Sequence, residues 1–140
     1  MAPSPHLATL ERLLDTERRL LEALLFKLTQ ARLVLAANEV RFVSSSLQEV
    51  QMAMDDIREA ESARAQAVAD LAEAIGRHPG EITLEYLSTT GPEAARPRFR
   101  ELRYQFLDLT REIEKASAEN QRLAQAGLDA GVIETASSSV

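Results

Sequence analysis

The stretch LLEALLFKLTQARLVLAANEVRFV, residues 20–43, decides how this chain folds. Leucines recur through it at the three- and four-residue spacing of an amphipathic helix, and the pattern falters at Ala36, Ala37 and Asn38. Either one helix runs through this point or the chain reverses direction there. The choice determines which apolar surface is buried within the chain and which is left for a partner.

The apolar residues on the two sides of that break form heptad patterns that do not share a register. The first pattern comprises Leu7, Leu14, Leu21, Leu28, Leu35 and Phe42, with Leu10, Leu24 and Ala31. The second comprises Leu47, Met54, Val68 and Ile75, with Val50, Ile57 and Leu71. The step from Phe42 to Leu47 turns a continuous helix by about 140°, which would send the second pattern to nearly the opposite face.

A reversal of the chain lets these two patterns bury each other. We therefore predict a helical hairpin with its turn at Ala37 and Asn38, because Asn tolerates the left-handed conformation that ends a helix and can also cap the next one. Two alternatives stay open at this point. A single rod could present two apolar faces to two partners, or Asn38 could be a buried polar residue that sets the register.

Stop signals and a third apolar pattern divide the rest of the chain. Gly76 followed by His78-Pro79-Gly80 indicates the end of the second helix, and Thr83 can cap a short turn. The third pattern comprises Phe99, Phe106 and Ile113, with Leu102, Leu109, Ala116 and Leu123.

These elements predict one all-α domain over residues 1–140. Its predicted fold is an elongated, antiparallel three-helix coiled-coil bundle with a short extra helical turn between helices 2 and 3. The predicted ranges are about 6–37, 39–76 and 94–130 for the long helices and about 83–88 for the turn. Residues 133–140, which are rich in serine, are predicted to form a flexible tail.

Charged residues interrupt both hairpin patterns at one level. If the turn lies at Asn38, Glu17 of the first helix comes level with Arg58, Glu61 and Arg64 of the second. Charges at seam positions can fix the register of paired helices. We expect a polar layer there, with Glu17 within reach of Arg58 or Arg64.

Composition and charge exclude several classes of function. The net charge of −6 argues against nucleic-acid binding, which needs a basic face. We see no secretion signal and no apolar run long enough to cross a membrane, so we expect a cytoplasmic protein with no membrane insertion. The chain has no cysteine, and His6 and His78 stand in a terminal segment and a turn, so no zinc site and no cofactor are predicted.

One pattern in the chain is typical of an enzyme. Asp56 and Glu59, and then Asp70 and Glu73, have the spacing with which all-α nucleotide pyrophosphatases hold magnesium. Both pairs lie on one predicted helix, about 21 Å apart along its axis, whereas such a site needs facing helices that converge on one ion. We interpret them as a solvated acidic face and predict no catalytic residue and no enzymatic activity.

An ordered set of segments resembles the FlgN-type family of flagellar export chaperones, in the form found in actinobacterial-like sequences. The segments are LLFKL at 24–28, the break near Asn38, IREAESARA at 57–65, TLEYL at 83–87 and ENQRL at 119–123. Each is weak alone, because Leu, Ala, Glu and Arg are common in any helical hairpin. Their order extends over about residues 7–130.

The resemblance implies a cytoplasmic chaperone of the flagellar type III export system. Members of the family hold hook–filament junction (hook-associated) proteins by a helical C-terminal segment and deliver them to the export apparatus. The family uses its C-terminal helix for this contact, so the matching positions here are Leu102, Leu109, Ile113, Asn120 and Leu123. The same residues could instead pack within the chain. The alternative function is a structural coiled-coil module that forms homo-oligomers, such as a homodimer, without an export client.

Overall fold

The computed structural model describes residues 4–131 and 133, and in these residues the regular structure is helical throughout. Four α-helices follow one another: α1 (Pro5–Ala36), α2 (Val40–Ile75), α3 (Leu84–Thr89) and α4 (Arg96–Asp129). A single 3-10 turn, Pro79–Glu81, stands between α2 and α3. Apart from Ile133, the predicted flexible tail lies outside the described residues.

The chain reverses direction between α1 and α2. Asn38 has a positive φ of 54°, and the Glu39 and Asn38 N–H groups donate to the carbonyls of Val34 and Leu35. These bonds satisfy carbonyls that the end of α1 would otherwise leave unpaired. The single rod is therefore wrong, and so is a buried Asn38, because the Asn38 side chain is exposed.

Contacts between side chains fix the directions of the long helices. Lys27 Nζ lies 3.7 Å from Glu49 Oε2, and Glu17 pairs with Arg64, so α2 runs antiparallel to α1. Asp15 and Leu28 of α1 contact residues early and late in α4 respectively, so α4 runs parallel to α1. α1 contacts both α2 and α4, and α3 packs on α4.

Two ends of the molecule follow from this arrangement. The hairpin end is where α1 joins α2, and the base is the opposite end, where α3 lies. The base contains the larger apolar cluster, with nine buried residues: Leu10, Leu14, Ala67, Leu71, Ala72, Ile82, Leu87, Phe99 and Leu102. The cluster toward the hairpin end has three, Leu24, Leu28 and Ile57. Apolar burial, and with it the stabilisation of the fold, is concentrated at the base.

The packed face of α2 contains one row of the predicted seam, Val50, Ile57 and Leu71, and differs from most of the other row. Val43, Ser46, Ile57, Ala67 and Leu71 are buried there. Leu47, Met54 and Ile75, most of one row of the predicted seam, are exposed instead. The packed face of α2 includes the small residues Ser46 and Ala67, which permit close approach of the two helices.

Of the predicted polar layer, the structure contains one ion pair between α1 and α2. Arg64 Nε donates to Glu17 Oε1 at 2.7 Å, and the Glu17 side chain is only 7% exposed. The predicted proximity of Glu17 to Arg64 is therefore observed. Arg58 instead bonds to Asp55 on its own helix, and Glu61 is exposed, so neither joins the layer.

A second ionic cluster joins α4 to α1 near the base. Asp15 Oδ1 accepts hydrogen bonds from Arg18 of its own helix and from Arg98 of α4, each at 2.9 Å. The hydrogen bond from Arg18 lowers the pKa of the Asp15 carboxyl, and the positive charges of Arg19 and Arg98 lower it further against the opposing effect of burial. Arg98 thus stabilises the fold and is not a free cation for a partner.

Candidate partner-binding surface

Exposed apolar side chains concentrate at the hairpin end. Of the large hydrophobic residues that are exposed, most lie between residues 26 and 54: Phe26, Leu33, Val40, Phe42, Leu47, Met52 and Met54. In the part of the chain that the structure describes, the others are Ile75, Tyr104 and Leu107. Large apolar residues that are exposed to water and grouped at one end of a protein are typical of a surface that binds another protein.

Three of these residues form a line on α2. Val40, Leu47 and Met54 are seven residues apart, so they lie on one side of the helix, and we name them the hairpin-end row. They flank the buried face formed by Val43 and Ser46. Their spacing matches the apolar repeat of an amphipathic helix, so the row can pack against one.

The hairpin-end row lies on the flank of α2 that faces α4. The other flank carries Glu49, which pairs with Lys27 of α1, and Asp56 and Ala63, which line a groove with α1 residues and with no residue of α4. Farther along the row's own flank, Val68 packs against the base cluster that includes residues of α3 and α4. The row therefore opens onto the space between α2 and α4.

A groove of about 730 Å³ lies between α1 and the second half of α4. Leu25 and Ala116 contribute apolar surface to it, and Arg32, Lys115 and Glu119 contribute charges. Glu119 accepts a 2.6 Å hydrogen bond from Arg122, which lowers the pKa of its carboxyl, and the charge of Arg32 acts in the same direction. The groove thus combines apolar surface with charged side chains, of which Glu119 and Arg122 pair with each other.

The five α4 residues that the resemblance assigns to partner binding face the interior of the chain. Leu102 is completely buried in the base cluster, and Leu109 is buried as well. Ile113 and Leu123 are half-buried, and Ile113 packs against the cluster that contains Leu24 and Leu28. A partner could reach Leu102 only if the base were opened, so this residue is structural in the isolated chain.

Asn120 is the most unusual of the five. It is 7% exposed, and its Nδ2 donates to the Leu28 carbonyl of α1 at 3.0 Å. Its Oδ1 is buried and has no hydrogen-bond partner. An unpaired buried acceptor is unfavourable, so the Oδ1 atom offsets part of the stabilisation that the hydrogen bond from Nδ2 provides.

The remaining sequence candidates are placed without forming a chemical site. Asp56, Glu59, Asp70 and Glu73 are all exposed. His78 Nδ1 accepts a hydrogen bond from the Gly80 N–H within its turn. In residues 4–131 and 133, no three histidine or acidic side chains come together to bind a metal ion. No helix among the described residues has the length and apolarity needed to span a membrane.

Sequence patterns alone did not identify the hairpin-end row as a surface. Leu47 and Met54 of the row belong to the predicted second seam, which follows from heptad spacing alone, whereas Val40 does not. A usable signal was present: Val43, Ser46, Val50 and Ala53 form an alternative seam at correct spacing, whose small members suit a closely packed pair. The row of larger residues beside it then remained for another contact.

Comparison with known proteins gives one match. The family model described as FlgN protein matches residues 1–130. No curated protein and no solved structure matches the chain. The matched range includes all four helices and every residue of the hairpin-end row.

Proposed function

The chain belongs to the FlgN family of flagellar chaperones, and from this premise we propose that it is a cytoplasmic chaperone of the flagellar type III export system. In this proposal it binds the helical C-terminal segment of hook-associated proteins, which form the hook–filament junction, and delivers them to the export apparatus. It acts as a binding protein and has no enzymatic activity.

The observation that carries this proposal is the hairpin-end row, three exposed apolar side chains at helical spacing on one side of α2. An amphipathic helix binds by laying its apolar face on such a surface, and apolar residues at helical spacing recognise it. The hairpin-end row supplies that spacing. A client segment that is apolar on one side would be shielded from aggregation while it is held.

The predicted α4 positions take different parts in this proposal. Ile113, Asn120 and Leu123 lie in the half of α4 that packs toward the hairpin end, where a client could contact them after a small movement of the helix. Leu109 lies on α4 between these three residues and Leu102 of the base cluster. Leu102 belongs to the base cluster, and we assign it to folding and not to client binding.

Isothermal titration calorimetry tests the proposal directly. The full chain is titrated with the C-terminal helical segment of a hook-associated protein from the same organism, and with a scrambled peptide of the same composition as the control. We expect saturable binding of the first peptide with a negative heat-capacity change, the mark of apolar burial. Equal binding of both peptides, or of neither, would contradict the proposed function.

The second candidate function, a structural module that forms a homo-oligomer, is favoured by the same exposed side chains, because two copies could cover them. Light scattering across a range of concentrations separates the two functions. A chaperone with a vacant surface stays monomeric, or its oligomer dissociates when the client peptide is added. A stable oligomer that ignores the peptide would favour the structural module.

A further inference from the structure

We propose that the client helix lies along the hairpin-end row, in the space between α2 and α4, as a continuation of the position that α3 occupies at the base. The identity of the occupant rests on the proposed function. The location rests on contacts within the chain, which point to this flank of α2 and away from the outer face of α1.

The arrangement of the long helices leaves this space open. α1 contacts α2 and α4 extensively, whereas α2 and α4 barely approach each other. Val40, Leu47 and Met54 are consequently exposed although they lie on the side of α2 that faces another helix. A further helix placed there would contact both α2 and α4.

The base of the molecule shows how the same space is filled. Val68, two heptads beyond Met54 on the same line of α2, is partly buried against the base cluster. Leu84 and Leu87 of α3 are packed in that cluster and line a shared groove with Val68. α3 is six residues long and ends at Thr89, so it covers the base part of the line and no more. The proposed client helix covers the hairpin-end part.

The dimensions of the row specify the client. Val40 and Met54 are about 21 Å apart along α2 at 1.5 Å per residue, which corresponds to about four helical turns of a partner. Glu61, the next residue on this line, is charged and exposed, and marks the limit of the apolar surface. We expect a client helix with apolar residues every three or four positions and no charge on its docking face, because the row offers no charged partner.

The side of α4 that faces the hairpin-end row has small side chains. Ser117 and Ala124 are half-buried and seven residues apart, on the flank opposite Glu112 and Glu119, which line the groove with α1. Small residues permit close approach of a helix backbone, and a helical serine can bond its hydroxyl to the carbonyl four residues earlier when an apolar partner covers it. The space between α2 and α4 thus has one wall of large apolar side chains and one wall of small ones.

A pair of substitutions at the same end of the molecule tests the location. Leu47 lies on the row and is 46% exposed, and Leu33 lies on the outer face of α1 and is 59% exposed. Both are surface leucines, so Leu47→Lys and Leu33→Lys should both fold, which circular dichroism checks. We expect Leu47→Lys to weaken the calorimetric affinity for the client peptide by about tenfold or more, and Leu33→Lys to change it by less than about twofold.

A second measurement locates the client without relying on loss of binding. The chain has no cysteine, so Leu47→Cys and Leu33→Cys each give a single labelling site for an environment-sensitive fluorophore. We expect the client peptide to shift the emission of the label at position 47 to the blue and to leave the label at position 33 unchanged.

The outcomes separate the inference from the function on which it rests. The location is supported if Leu47→Lys weakens client binding while Leu33→Lys does not, and if only the label at position 47 shifts its emission. Binding with equal effects at both positions, or an effect at position 33 alone, overturns the location and leaves the chaperone function intact. Failure of the unmodified chain to bind the client peptide overturns both.

Discussion

At the scale of single residues, four polar residues are buried in the described part of the chain, and the side chains of two of them, Glu17 and Asn120, link different helices. Glu17 and Asn120 both occupy heptad positions on packed faces of their helices, and each makes a hydrogen bond to a different helix. The sequence limited the predicted partner of Glu17 to Arg58 or Arg64, because its charge needed a cation at the same level, and the structure has Arg64. It did not predict that Asn120 would bond to the backbone of Leu28, since side-chain patterns do not reveal backbone acceptors.

We expect Arg64→Met to lower the free energy of unfolding by about 1–3 kcal/mol, because it leaves the nearly buried Glu17 carboxylate without its partner. Adding Glu17→Leu to this variant should recover most of the loss. Urea unfolding of the four proteins of the cycle measures the coupling. Arg58→Met is the matched control and should be almost neutral, because Arg58 and Asp55 are both exposed. Equal losses of unfolding free energy at positions 58 and 64 would show that the Glu17–Arg64 pair stabilises the fold no more than an exposed ion pair does.

Asn120→Leu should raise the free energy of unfolding by about 1 kcal/mol, because it removes a buried Oδ1 that has no partner and adds apolar contact with α1. The Leu28 carbonyl lies inside α1 and keeps its intrahelical bond. Asn120→Ala removes the same amide without replacing its volume, and is the control for packing. A Leu variant less stable than the wild type in urea would mean that the bond from Nδ2 outweighs the unpaired oxygen.

At the scale of the helices, the ends follow from local chemistry. Thr83 Oγ1 accepts from the Tyr86 N–H at the start of α3, and Gly76 at the end of α2 has a φ of 69°. Such signals depend on a few neighbouring residues, so a sequence pattern can locate them. The face that a helix turns to its neighbour depends on how closely two backbones approach. For this reason the ends of α2 were more accessible to prediction than its buried row.

Substitutions at Asn38 test the reversal of the chain. Asn38→Val should lower the free energy of unfolding by about 1–2 kcal/mol, because a β-branched residue is strained at a φ of 54°, and Asn38→Gly should be neutral or stabilising. Thermal unfolding followed by circular dichroism compares the two variants. Equal stability of the Val and Gly variants would be incompatible with a left-handed residue at this turn.

At the scale of the whole molecule, the fold combines a well-packed base with an apolar and thinly packed hairpin end. Phe99 and Leu102 anchor the start of α4 at the base, whereas its second half offers Ile113, Ala116 and Asn120 to α1. Heptad patterns predicted three long helices, and they gave similar weight to both ends. Heptad patterns do not reveal that the base is more densely packed than the hairpin end. This difference depends on where the short α3 lies in space and which part of α2 it covers.

Under the proposed function, the hairpin end binds the client while the base holds the fold. Hydrogen–deuterium exchange with mass spectrometry, with and without the C-terminal segment of a hook-associated protein, measures this over the whole chain. We expect the client to slow exchange in residues 40–54 and in the second half of α4, and to leave residues 82–102 unchanged. Slowed exchange confined to the base, with the hairpin end unaffected by a bound client, would contradict the claim.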